Sequence, residues 1–131
     1  MGFVIDTDVL INAERQRSHF AKIIRHDPLA EYFISAITVS ELFHGLERAS
    51  TEKQKSDRTQ FLDTVLSNFR VLSIDTETAK IHAKIWADLV ARNAMIGIHD
   101  SWIAATCILH AHSLITLNRK DFERIHGLNL A

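Results

Sequence analysis

Asp6, Glu41 and Asp100 are the residues whose types and positions suit them to act together chemically. Asp6 follows the apolar run Phe3-Val4-Ile5 directly and precedes a helix-like stretch, so it projects from the carboxyl end of an expected strand. Glu41 comes one helical turn after a second apolar run, and Asp100 stands at the start of the apolar segment from Ser101 to Ala111. In an open parallel sheet, ligands bind outside the carboxyl ends of the strands. A parallel sheet would therefore bring all three acids to one crevice. Carboxylates that close together repel one another and retain protons unless a divalent cation neutralises them. An all-oxygen donor set suits Mg²⁺ or Mn²⁺ better than zinc. Each acid also has a structural explanation: Asp6 and Asp100 as helix N-caps, and Glu41 as the partner of Thr38 in a capping box. All three sit at strand-to-helix transitions on one expected edge, which favours a shared site, and one residue can both cap a helix and bind a metal.

Other reactive groups offer less. The eight histidines, His19, His26, His44, His82, His99, His110, His112 and His126, include no HExxH pattern, and His110 and His112 are expected on opposite faces of a helix. Only His99, beside Asp100, is placed near the crevice. Cys107 is the single cysteine and lies in an apolar run, so it reads as a small core residue. No nucleophile-elbow motif is present. Asp6-Thr7-Asp8-Val9 is similar to the DxDxT/V opening of haloacid-dehalogenase-type phosphatases, with Asp6 as nucleophile, but the chain is short for that fold and lacks a later pair of acids. A non-enzymatic phosphoacceptor receiver would use Asp75, yet it needs regularly spaced βα units and paired acids before its first helix.

The elements that must position these acids follow from periodicity. Apolar runs at Phe3–Ile5, Tyr32–Ile37, Phe69–Ile74 and Leu114–Leu117 read as strands. Between them, Phe61, Leu62, Val65, Leu66 and Phe69 keep one helical face apolar, and Ile81, Ile85 and Leu89 do the same in the next segment. Strands separated by helices imply parallel crossovers and a sheet covered on both faces. Asp75 or Thr76 is expected to cap the helix that follows, and the polar stretch Thr51–Asp57 is expected as a mobile surface connection.

With 131 residues, 47% of them apolar, the chain can bury a real core, since a domain of this size hides roughly 65 to 70% of its unfolded surface. Four glycines, one proline and no low-complexity stretch or repeat point to one α/β domain spanning residues 1–131. One cysteine argues for a reducing compartment. The opening Met1–Leu10 lacks a basic leader and Asp6 interrupts its apolar run, so neither a signal peptide nor a membrane span is expected, and the location expected is cytoplasmic.

Taken together, Val4–Ile11 with Asp6, Ser40–Leu46 with Glu41, Ile96–Ala105 with Asp100, and Leu114–Leu128 at the end resemble the VapC branch of the PIN-domain ribonucleases. The order and spacing of these segments span nearly the whole chain. The resemblance implies a PIN-like three-layer α/β/α sandwich with a central parallel sheet of four to five strands. It implies a Mg²⁺- or Mn²⁺-dependent endoribonuclease that cuts tRNA, rRNA or mRNA to leave 5′-phosphate and 3′-hydroxyl ends. The ion would be held by Asp6, Glu41 and Asp100, with a fourth contact from Asn118 or Asp121. Asn118 can ligate through its amide oxygen or hold a metal-bound water but adds no charge, which favours one firmly held ion over two. A cognate VapB-type antitoxin that blocks the crevice, a toxin homodimer and a toxin–antitoxin hetero-oligomer are implied as well.

The net charge of −1 looks unsuited to RNA until Asp6, Glu41, Asp100 and Asp121 are assigned to the ion, which leaves twelve acids facing fifteen basic residues. Arg15, Arg17, Lys22, Arg25, Arg119, Lys120 and Arg124 are candidates for a modest basic surface. Thr7, Asp8, Ser40, Ser101 and Thr116 are expected to orient ligands or waters, Gly45 and Gly97 to permit close packing, and Trp86, Trp102, Ile103, Ala104 and Ala105 to pack.

Overall fold

The computed structural model describes residues 2–16 and 27–131. Arg17, Lys22, Arg25, His19 and His26 lie outside the described residues. Among the described residues, ten elements follow in order: β1 (Phe3–Ile5), α1 (Thr7–Arg15), β2 (Tyr32–Ser35), α2 (Ala36–Glu47), α3 (Glu52–Asn68), β3 (Arg70–Leu72), α4 (Thr76–Ala91), α5 (Ile98–His110), β4 (Ser113–Ile115) and α6 (Arg119–Phe122).

The strands form one parallel sheet in the order β3-β2-β1-β4. The chain builds outward from β1 through β2 to β3, then crosses back to place β4 on the other side of β1. The direction of winding thus reverses beside β1, and a crevice opens at the carboxyl end of strands at such a reversal. Asp6 stands there, its backbone N–H donating to the Ile115 carbonyl at 2.9 Å.

The short strands are apolar on both faces because helices cover both. Val4, Phe33 and Leu114 point into one core with Ile85, Leu89, Ile103 and Phe122 from α4, α5 and α6. Their neighbours Ile5 and Ile34 point the other way, against Leu10, Leu42, Leu62 and Val65 from α1, α2 and α3. This alternation makes the three expected layers, with four strands. At the sheet's end, Gly2 runs so close to β2's approach that a Cβ would lie 2.7 Å from the Glu31 carbonyl oxygen.

Several local expectations need correction. The second, third and fourth strands end earlier than their apolar runs, because Ile37 already belongs to α2 and Thr116 and Leu117 form the bend into α6. Ser35, not Thr38, caps α2, its Oγ accepting from the Ile37 N–H at 3.1 Å. Thr51–Asp57 is exposed as expected but helical: Thr51 Oγ1 accepts from the Gln54 N–H and opens α3. Gly45 and Gly97 do not serve close packing, since a Cβ at either would meet nothing within 4 Å. His112 lies beyond α5, its Nδ1 accepting from the Gly2 N–H and its ring stacked on Phe33, and it stacks near His110 rather than opposing it.

Candidate active site

Asp6 is both a helix cap and a site residue. As N-cap of α1 it holds an extended backbone, and its Oδ1 accepts from the Thr7 N–H at 2.8 Å. Its other oxygen accepts from the Thr116 hydroxyl at 2.7 Å, a link between the ends of β1 and β4. Glu41 lies in the second turn of α2, where the Thr7 hydroxyl hydrogen-bonds its Oε1 at 2.7 Å and Thr38 Oγ1 at 2.9 Å. Thr38 and Glu41 are therefore tied to Thr7, one residue beyond Asp6, instead of closing a capping box. Asp100 sits in the first turn of α5, where a helix N-terminus favours a negative charge. The Asn118 amide N–H group donates to Asp100 Oδ2 at 3.4 Å and to Asp121 Oδ2 at 3.1 Å.

Electrostatics connects these groups into one cluster. Burial is the largest influence on Asp6 and, with repulsion from Asp8 and Asp100, pushes its carboxyl up to about 7 against the bonds from Thr116 and Thr7. Asp100 is raised by burial first, then by Glu41, Asp8 and Asp121, while Asn118 acts the other way. His99 Nδ1 lies 3.5 Å from Glu41 Oε2 at the exposed rim. Asp8, expected only to support the site, repels both Asp6 and Asp100, and its Oδ1 accepts from the Leu117 N–H. The two-residue spacing of Asp6 and Asp8 was the available signal.

Among the described residues, no three Asp, Glu, His or Cys side chains are drawn together as a ready metal-binding group. The carboxylate oxygens are instead engaged by hydrogen bonds from Thr7, Thr116 and Asn118. The donor chemistry nevertheless fits a hard divalent cation: oxygen ligands only, partly buried, with negative charge that a proton or a cation must offset. Asn118 turns its N–H group to the acids, so it would have to flip its amide to ligate through oxygen.

The remaining residues fall outside this cluster. Ser101 is buried and faces α4, 2.8 Å from His82 Nε2, while its hydroxyl donates to the Ile98 carbonyl. Its hydroxyl is thus engaged by His82 and Ile98 rather than by the acids. The His82 ring stacks between Trp102 and Trp86, which pack as expected. Ser40 is exposed on α2. Asp75 caps α4 through a capping box with Thr78, a role that already uses the carboxylate a receiver domain would phosphorylate. Arg119 and Arg124 donate to the carbonyls of Ala131 and Met95. No helix among the described residues is long and apolar enough to cross a membrane.

Comparisons with known proteins bear on the same chain. Residues 3–128 match the PIN domain family. The chain is 38% identical over 136 residues to "Ribonuclease VapC1" of Rickettsia felis, covering 99% of this chain and 95% of that one. Its fold superposes on VapBC2 of Rickettsia felis bound to a promoter DNA fragment with a TM-score of 0.90 at 23% identity, covering 100% of this chain and 98% of that one. DNA-bound VapBC from Salmonella typhimurium gives a TM-score of 0.89 at 25% identity, with 100% and 97% covered.

Proposed function

Because the chain belongs to the VapC branch of the PIN-domain family, we propose that it is a divalent-metal-dependent endoribonuclease acting as the toxin of a toxin–antitoxin pair in the cytoplasm. The observation that carries this reading is the cluster of mutually repelling oxygens at the end of β1, with Asp6 pushed up to about 7. Asp6, Glu41 and Asp100 would hold Mg²⁺ or Mn²⁺, with Asn118 or Asp121 completing the set. When bound, the ion would polarise a phosphoryl oxygen and lower the pKa of a water, which offsets the repulsion between a phosphodiester and hydroxide. Thr7 and Thr116 hold Glu41 and Asp6 in orientation, and one carboxylate of the cluster takes the proton from the attacking water.

A VapB-type antitoxin suits the crevice as its blocking partner, in line with the VapBC complexes whose toxin fold this chain shares, and the active form is proposed as a homodimer that joins the antitoxin in a hetero-oligomer. The test is cleavage of labelled RNA by the purified chain. Mg²⁺ or Mn²⁺ should support cleavage to 5′-phosphate ends and excess EDTA should abolish it, while folded Asp6→Asn, Glu41→Gln and Asp100→Asn variants should not cut. Full cleavage in EDTA, or by the Asp6→Asn variant, would refute the site.

A further inference from the structure

Glu41 lines a second feature that the acidic cluster does not use: an open pocket of about 420 Å³ lined by residues of α1, α2 and α3. Three arginines reach it from three places in the chain. Arg15 lies in the last turn of α1, Arg48 is the C-cap residue of α2, and Arg58 belongs to α3. On α2 the lining residues Glu41, Gly45 and Arg48 are four and three residues apart, so they follow one helix face. The eight-residue stripe is about 10 Å long. It begins at a carboxylate of the candidate metal site and ends at a guanidinium.

The pocket is built rather than incidental. An Arg58 Nη1 group donates to the Gly45 carbonyl and so holds its guanidinium against α2. At Gly45 itself a Cβ would meet nothing within 4 Å, so the cavity is open there. Leu42 and Leu62 are buried and give the pocket an apolar floor. Its other acid, Glu14, is raised mainly by burial, with Arg58 and Arg15 close enough to act against that rise. Among the described residues the lining carries three guanidiniums and two acids, Glu14 and Glu41, so the balance is basic even before an ion engages Glu41. Planar guanidiniums match phosphate oxygens in pairs, and an apolar floor suits the face of a base or a ribose.

We propose that this pocket is a subsite for single-stranded RNA flanking the scissile bond, with Arg15, Arg48 and Arg58 binding a neighbouring phosphate. The proposal rests on the endoribonuclease reading and extends it to how the strand is seated. Because Glu41 belongs to both places, a strand whose scissile phosphate reaches the acids passes over the α2 edge of the pocket.

The test reads binding apart from cleavage. In EDTA, an Asp100→Asn chain is titrated into a fluorescein-labelled single-stranded oligoribonucleotide and followed by anisotropy at several salt concentrations. Adding Arg48→Ala or Arg15→Ala, both at exposed positions, should weaken binding by about five- to tenfold and reduce the salt slope by about one. Arg48→Lys keeps the charge without the paired donors, so it should restore the slope and only part of the affinity. Unchanged affinity and slope in the Arg15→Ala, Arg48→Ala double variant would overturn the subsite, as would a double variant that keeps RNA and loses only a protein partner. Cleavage by the chain with Asp100 intact is scored separately. Arginine-dependent binding without metal-dependent cleavage would refute the nuclease reading and leave only an arginine-lined RNA-binding pocket with no scissile bond to flank, whereas normal cleavage and binding without the arginines would overturn the subsite and leave the nuclease reading intact.

Discussion

Asn118 sets the charge balance at one end of the acidic cluster. Its amide lies between Asp100 and Asp121 and donates to both, which eases their repulsion without adding a charge. Asp121 has a second explanation, since it stands in the first turn of α6, 3.9 Å from an Arg124 nitrogen. Replacing Asn118 by Asp adds a carboxylate where a cation would be drawn. Asn118→Asp should therefore tighten Mn²⁺ binding roughly tenfold, and Asp121→Asn should weaken it by a similar factor and slow cleavage, read by titration calorimetry and initial rates. Wild-type affinity and rate in Asp121→Asn, together with an inactive Asn118→Ala, would assign the fourth contact to Asn118 and leave Asp121 as a helix-dipole residue.

At the scale of elements, α4 packs against α5, the helix that carries Asp100 in its first turn. His82 of α4 is buried between Trp102 and Trp86, with Ser101 of α5 as its hydrogen-bond partner. Ser101→Ala would leave a buried ring nitrogen without that partner, a loss of about 1 to 2 kcal/mol in urea unfolding, while Mn²⁺ affinity stays at the wild-type level. Lost metal affinity at unchanged stability would instead return Ser101 to the site. Burial lowers the His82 pKa from 6.5. The unfolded chain then takes up this proton more readily than the folded one, so the contribution of His82 to stability is present above pH 6.5 and is lost as pH falls through its folded pKa.

For the whole molecule, the carboxylate cluster links folding, protons and metal. Unfolded, Asp6 ionises near 3.8; folded, it does so at about 7. The folded chain holds that proton more tightly, so this contribution is fully present below about pH 4 and is lost as pH rises through about 7. A cation that binds the ionised acids reverses the loss by favouring the native state. In EDTA, the melting temperature of the wild type relative to Asp6→Asn should fall between pH 5 and pH 8, and Mn²⁺ should raise the wild-type melting temperature more at pH 8 than at pH 5. Scanning fluorimetry checks both, and parallel pH profiles for the two proteins without any Mn²⁺ response would contradict the linkage.

Strand and helix order, the two apolar faces of the sheet, and the placing of Asp6 at a strand end were all legible in the chain, because side-chain periodicity and the strand-to-helix switch are local properties. The order β3-β2-β1-β4 was not, since the neighbour each strand takes depends on contacts between residues far apart in sequence. The same limit explains the misread capping box: Thr38 and Glu41 have the right spacing for one, but only the docking of α1 on α2 brings Thr7 to both. Glycines that looked suited to tight packing face open space, and Arg48 and Arg58, unremarkable in the sequence, meet Arg15 around one pocket. Residue types alone determined that oxygen ligands for a hard cation were available. Tertiary structure decided how deeply each acid is buried and which acids repel one another, because desolvation and Coulomb repulsion depend on distance in space rather than along the chain.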